Sequence, residues 1–314
     1  MFFISSSCTR KRKVNEAIQD LLGFGVKNIE LSGGLVIYDQ WEADFRLLRD
    51  SEELNILIHN YFPPPALKKD AFVLNLASDN EQLKQKSFEL IKKSFKFISD
   101  FGISLYSVHG GHSVDMLPEL KDMHFIVDKE SKRDKFQASF NFYESLERIV
   151  AESLPDSKKL AVENLFPFSK EQNYCLMTLP EEIEKFLKYS RKYKNVGLLL
   201  DLGHLNVAGK AFNFDPAKCA ERILSEYSDK IFQLHLSDND GTFDFHKVCS
   251  SNSWQLKLVE NFYEVVKHVP IVFEWHCKTN SNEQIRDGIS YIKSYFGQTA
   301  FTELEDSKHL IYEN

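Results

Sequence analysis

The sequence contains no C-x-x-C pair, and its cysteines are odd in number: Cys8, Cys175, Cys219, Cys249 and Cys277. That argues against a disulfide framework and for a reducing compartment. No apolar run approaches the roughly 20 residues a membrane-crossing helix requires. Met1 to Ile4 is too short for a signal peptide, and basic residues follow it rather than precede it. A cytoplasmic protein with no membrane partner is expected. Positive charge is in deficit: 39 Lys and Arg stand against 46 Asp and Glu, a formal net charge of −7. This disfavours a dedicated nucleic-acid coat and leaves open only a local basic patch. Linkers, repeats and low-complexity tracts are missing, so residues 1–314 are read as one domain.

What the sequence does have is a series of short apolar runs that end in acidic or imidazole side chains. Ile56 to Ile58 leads into His59, Leu105 to Val108 into His109, and Leu160 to Val162 into Glu163. Val196 to Leu200 leads into Asp201, Ile231 to Leu234 into His235, and Ile271 to Phe273 into Glu274. Such runs, bounded by polar and turn residues, are the pattern of buried parallel strands. Met1 to Ser5 and Asn28 to Leu31 bring the candidate strands to eight.

Between most of the runs lie segments with helical spacing: Asn15 to Gly23, Glu81 to Phe101, Phe140 to Leu154, Pro180 to Tyr193, Pro216 to Tyr227, Gln255 to His268 and Glu283 to Phe296. Pro180 and Pro216 suit a first helical turn. Eight strands alternating with helices fit either a closed barrel or an open doubly wound sheet. An open sheet binds at one switch point and rarely recruits six strand ends, whereas every strand of a barrel ends at one mouth. The predicted fold is therefore α/β, a single (β/α)8 TIM barrel. Three stretches read as irregular, Tyr61 to Ala77, His112 to Lys135 and Pro167 to Leu179, and serve equally as pocket walls or as plain surface loops.

Glu163, Asp201, His235 and Glu274 come from consecutive strands. Three carboxylates and one imidazole suit a divalent ion, Mn²⁺ or Zn²⁺, with Mg²⁺ or Co²⁺ as further choices. Taken singly, each is as well read as a polar group satisfied by backbone; as a set they point to metal. Five more residues of ligand type surround them: His59, His109, His204, Asp244 and His246. The run Asp201-Leu202-Gly203-His204 reads as a tight strand-to-loop turn, and Asp244 and His246, two apart, project to one side of an extended loop. Nine residues are enough for two or three ions.

Val162-Glu163-Asn164, Leu200 to His204, Leu234 to Gly241 and Asp244-Phe245-His246 together resemble the xylose-isomerase-like TIM barrel superfamily. That superfamily contains sugar (phosphate) isomerases and epimerases and the AP endonucleases of the endonuclease IV type. The isomerase branch implies one metal on Glu163, Asp201, His235 and Glu274. Glu163 and Glu274 would then be the catalytic pair that moves a proton on a small sugar or sugar phosphate. The endonuclease branch implies a three-zinc cluster on all nine residues, bridged by Glu163, with nucleic acid as partner. The loop Asp238 to Phe243 is closer to the isomerase side, and Phe245 stands where the nucleases carry arginine.

The expectation is an isomerase or epimerase, with the phosphodiesterase as alternative. A barrel that binds metal or ligand without turnover is a third reading, because Lys247 to Trp254 replaces the glycine-rich turn both branches carry after the Asp-x-His. A homo-oligomer is compatible with all three. Two features remain. Arg10 to Lys13 follows strand one, where it either contacts phosphate or simply opens a solvated helix. Trp41, Tyr61, Phe166, Trp254 and Trp275 either stack on a sugar or pack in the core.

Overall fold

A computed structural model of the chain describes residues 1–64, 71–121, 124–297 and 300–301. Residues 65–70 and 122–123, within two of the stretches expected to be irregular, lie outside the described residues. Ten strands are found among the described residues: β1 (Phe2–Ser5), β2 (Asn28–Leu31), β3 (Asn55–His59), β4 (Leu105–His109), β5 (Asp115–Lys121), β6 (His124–Asp128), β7 (Lys159–Glu163), β8 (Val196–Asp201), β9 (Ile231–Leu236) and β10 (Ile271–Phe273). Eight of them close a parallel barrel in the order β1-β10-β9-β8-β7-β4-β3-β2. Every strand run read from the sequence is one of these eight, and the predicted barrel is the fold.

The barrel interior explains the apolar runs. Its lower layer is Phe3, Leu57, Leu105, Ala161, Leu199, Phe232 and Val272, all buried. Strand residues that face outward (Ile4, Ile29, Ile58, Val108, Val162, Leu200) bury against the surrounding helices, so both faces of each strand are apolar. Register then fixes the mouth: His109 pairs with Glu163, and Asp201 with His235, so ligand-type side chains from neighbouring strands come level with one another.

The helices are α1 (Val14–Leu22), α2 (Trp41–Glu52), α3 (Glu81–Asp100), α4 (Lys135–Glu152), α5 (Pro180–Ser190), α6 (Leu202–Phe212), α7 (Pro216–Tyr227), α8 (Trp254–Asn261), α9 (Tyr263–Val266) and α10 (Asn282–Phe296). None is long and apolar enough to cross a membrane. Pro180 and Pro216 open α5 and α7, as expected. Two readings are corrected. Leu202 to His204 is the first turn of α6 rather than a loop, with Asp201 as its N-cap. The stretch His112 to Lys135 holds the antiparallel β5–β6 hairpin, folded over the barrel mouth. Of the two alternatives for the aromatics, Trp41 and Trp275 take core packing, Trp41 stacked on Phe97 at 5.7 Å and Trp275 fully buried.

Candidate metal centre

The carboxyl ends of β3, β4, β7, β8, β9 and β10, with the loop after β9, bring all nine candidate residues together in one place. Three contiguous groups result: His59, His109 and Glu163; Glu163, Asp201, His235 and Glu274; and His204, Asp244 and His246. Within each group the ligand-type atoms lie within 4.8 Å of one another. Glu163 belongs to two groups. Its Oε2 faces His59 Nε2 at 3.5 Å and His109 Nε2 at 3.4 Å, and its Oε1 faces His204 Nδ1 at 3.2 Å and His235 Nδ1 at 4.0 Å. Asp244 Oδ2 lies 3.2 Å from His204 Nε2 and 2.5 Å from His246 Nε2, which joins the third group to the second through His204.

Local sequence explains this placement. Asp201 ends β8 and caps α6, its Oδ1 accepting from the His204 amide at 2.6 Å. A side chain at Gly203 would put its Cβ 2.5 Å from Ser237 Oγ, so the turn that presents Asp201 and His204 needs glycine. Asn164, the residue after Glu163, holds the same corner. Its Oδ1 accepts from the Asp201 amide at 2.7 Å, its Nδ2 donates to the Asp201 carbonyl at 3.0 Å, and its carbonyl meets His204 Nδ1 at 2.8 Å. His246 takes a positive φ of 46°, which turns its ring toward Asp244.

Both Glu163 oxygens and Asp201 Oδ2 are buried and accept no hydrogen bond, and buried Asp244 meets only the imidazoles of His204 and His246. Uncompensated buried carboxylate oxygens are costly. Their gathering beside imidazole nitrogens is the arrangement a cation would complete, so the donor set fits divalent metal. In the metal-free protein the charges compensate one another instead. Burial pushes the Glu163 carboxyl up to about 8, partly offset by His204 and His235. Burial also opposes protonation of His204, yet Asp201, Asp244 and Glu163 hold it well above its ordinary value. His246 is likewise lifted, to about 9, chiefly by Asp244 acting against burial.

A cavity of about 470 Å³ opens above the three groups. Its walls include Tyr61, Met116, Phe125, Phe166, Phe168 and Phe243, and Lys278 is the one lysine or arginine among the described residues lining it. Tyr61 and Phe166, two of the aromatics expected near the substrate, are therefore at the mouth, Phe166 lying 4.8 Å from the His204 ring. The basic run is exposed at Arg10 to Lys13, with Arg12 donating to the Gly34 carbonyl at 2.9 Å rather than facing the cavity lining.

Three residues escaped the sequence reading. Glu30, third in β2, is fully buried beneath the centre, its Oε2 3.2 Å from His235 Nε2. Gln233, two residues before His235, donates to the same Glu30 oxygen. His276 stacks on His246 at 3.9 Å and lines the cavity. The signal for the first two was a polar residue inside an apolar strand run, not at its end.

The family model described as Xylose isomerase-like TIM barrel matches residues 20–295. Among sequence relatives, an uncharacterized protein of Methanocaldococcus jannaschii is 26% identical over 245 residues, covering 77% of this chain and 69% of its own length. A probable endonuclease 4 of Campylobacter hominis is 22% identical over 260 residues, covering 79% of this chain and 84% of that protein. Among solved structures, a D-tagatose 3-epimerase-like protein superposes with a TM-score of 0.69 at 21% identity, over 95% of this chain and 97% of that one.

Proposed function

We propose, from the premise that the chain belongs to the xylose isomerase-like TIM barrel family, that it is a divalent-metal-dependent hydrolase of small phosphate esters with a three-ion centre. The observation that carries this reading is Glu163, which offers one oxygen to His59 and His109 and the other to His204 and His235. A carboxylate that takes a proton from carbon needs an oxygen free to reach it. A carboxylate shared between two ligand groups has none to spare. Five imidazoles among nine ligands favour zinc, whereas Mn²⁺ suits the oxygen-rich group of Glu163, Asp201, His235 and Glu274.

When bound, divalent ions polarise the phosphoryl oxygens and offset the charge that develops on them. The protein's own residues supply the rest. Phe166, Phe243 and Tyr61 wall the cavity around the substrate's body while the floor stays open to the water that hydrolysis consumes, and Lys278 provides a positive contact for a substrate oxygen. A cavity of about 470 Å³ lined largely by apolar side chains suits a small molecule, such as a phosphorylated sugar, better than duplex DNA. Duplex binding draws on many cations, and among the described residues one cation lines this mouth.

One specific feature favours a second reading, the metal-dependent sugar or sugar-phosphate isomerase or epimerase. The group Glu163, Asp201, His235 and Glu274 is by itself a complete four-ligand site, with the two glutamates available as the proton-transferring pair. Metal content separates the readings. Three ions per purified chain, falling to one in Glu163→Gln because two groups share that residue, is the expected result. One ion per chain, with exchange of a substrate carbon-bound proton into solvent, would replace the hydrolase by the isomerase. No ion at saturating Zn²⁺ and Mn²⁺ would leave only a binding barrel without turnover.

A further inference from the structure

Three histidines of the centre, His59, His204 and His246, share a construction. In each, Nε2 faces a carboxylate while the protein meets Nδ1 from behind, and His204 Nδ1 also lies 3.2 Å from Glu163 Oε1. His59 Nδ1 meets Ser107 Oγ at 3.0 Å, His204 Nδ1 the Asn164 carbonyl at 2.8 Å, and His246 Nδ1 the Glu274 carbonyl at 3.0 Å. His235 departs from this in two respects. Its front atom is Nδ1, 3.1 Å from Glu274 Oε2 and 3.8 Å from Asp201 Oδ2, and its rear atom Nε2 faces a carboxylate, Glu30, at 3.2 Å. Glu30 is fully buried, and no lysine or arginine pairs with it among the described residues. Gln233 donates to the same Oε2 and lies 3.0 Å from His235 Nε2, while Glu30 Oε1 has no hydrogen-bond partner.

A buried carboxylate retained without a cationic side chain to match it is costly. That cost calls for a compensating role. We infer that Glu30 is the positioning residue of the metal centre: it accepts Nε2–H of His235, which leaves the Nδ1 lone pair facing Asp201 and Glu274, and Gln233 holds Glu30 in place. A carboxylate behind an imidazole fixes the ring tautomer and orientation and makes the front nitrogen a stronger donor. The neutral acceptors behind His59, His204 and His246 do this less strongly. Because His235 is the single imidazole in a group of three carboxylates, the effect concentrates on that group. The inference rests on the proposal that this group binds metal.

The test is a Zn²⁺ titration against a chromophoric chelator, with bound zinc counted per chain, on the full-length protein. Glu30→Met removes the acceptor, and Glu30→Gln keeps the shape with a neutral oxygen. Loss of such a partner weakens metal binding roughly 10–100-fold. Glu30→Met should show this at one ion per chain, with the remaining ions unaffected, and Glu30→Gln should recover part of the loss. Urea unfolding of the metal-free variants separates this from a merely structural role, which would lower stability and leave zinc affinity unchanged. Zinc affinity within threefold of wild type in both variants overturns the inference. Should Glu30→Met fail to fold, Glu30→Gln decides by the same threshold. If His235→Ala loses no ion relative to wild type, the group holds none and the proposed centre falls together with this role. If His235→Ala loses an ion while the Glu30 variants lose no affinity, this role falls alone.

Discussion

Arg133 provides the sharpest test of how the cavity wall is held. Its side chain is 4% exposed, and the guanidinium donates to Asp115 Oδ1 at 3.0 Å, Asp79 Oδ2 at 3.1 Å, and the carbonyls of Ala77 at 3.1 Å and His112 at 3.2 Å. Asp115 also accepts from Asn75 Nδ2 and Ser78 Oγ, both at 2.8 Å. This network ties the chain after β3 to the chain after β4, at the root of the β5–β6 hairpin that carries Met116 and Phe125 into the cavity wall. The two ion pairs are unequal. Asp79 is 57% exposed, so its pair with Arg133 contributes little, whereas the Asp115 side chain is 12% exposed and would be left as an uncompensated buried charge.

Arg133→Met keeps most of the side-chain length and removes the charge. Breaking a buried pair by removing one partner costs about 3–5 kcal/mol, and the partly exposed edge of Asp115 places this site toward the lower end. In an Asp115→Asn background the same substitution should cost less, by about 2 kcal/mol, since the charge it would strand is gone. Urea unfolding of wild type, both single variants and the double variant supplies the cycle. Zinc content should not change, because none of the nine ligand-type residues bonds to Arg133. A single-variant cost below about 1 kcal/mol, or a coupling below about 0.5 kcal/mol, would refute the argument that this pair pins the hairpin.

Two further outcomes concern protons. Burial, reinforced by Arg133, lowers His112 from 6.5 to about 4, so the folded protein keeps it neutral where the unfolded chain would bind a proton. The stability this represents is present above pH 6.5 and is lost as pH falls toward 4, by about 3 kcal/mol over that window. His112→Gln should flatten the pH dependence of urea unfolding by about that amount, and an unchanged profile between pH 7 and 4 would count against it. In the centre the sign is reversed. His204 and His235 are held well above their ordinary values and His246 near 9 by the surrounding carboxylates, so metal must displace protons. Zinc affinity should rise with pH up to about 9, and calorimetry at pH 7 in buffers of different ionisation enthalpy should register release of at least three protons, one from each of these imidazoles. Heats independent of buffer would contradict the protonated, carboxylate-paired state of the free site.

Most of the barrel and its mouth could be read from the chain because one physical rule governs both. A parallel strand covered on both faces must be apolar throughout, so the first polar residue after the run marks the mouth. That rule placed His59, His109, Glu163, Asp201, His235 and Glu274 at strand ends. It missed Glu30, which lies inside β2 rather than at its end and is tolerated there only because Gln233 and His235 meet it across the barrel. Helix α6 was not visible because Leu202, Leu205, Val207 and Ala208 bury on all sides of it and leave no polar stripe to mark its period. Helix α2 buries only Trp41 and Phe45, and Pro118 inside β5 hides that strand behind a residue sheets normally exclude.

The number of ions also decides what charge the centre presents to a substrate. Glu163, Asp201, Glu274 and Asp244 bring four negative charges to the floor of the cavity. With a single divalent ion, His204 and His246 stay protonated beside Asp244, so the floor is close to neutral and offers a phosphate group no strong attraction. With three divalent ions the same floor becomes cationic, and the ions' own charge dominates the local electrostatics. It would then draw in a phosphate group and leave an uncharged sugar no such advantage. A neutral sugar would meet apolar walls at Phe125, Phe166, Phe168 and Phe243 and hydrogen-bonding side chains at Asn60, His112 and Thr279. Under the proposed three-ion centre, the joined ligand groups, a cationic floor and an apolar wall would favour one kind of substrate, with a compact anionic head for the floor and a less polar body for the walls. The single-ion isomerase leaves His59, His109 and Asp244 outside the one ligand group it uses.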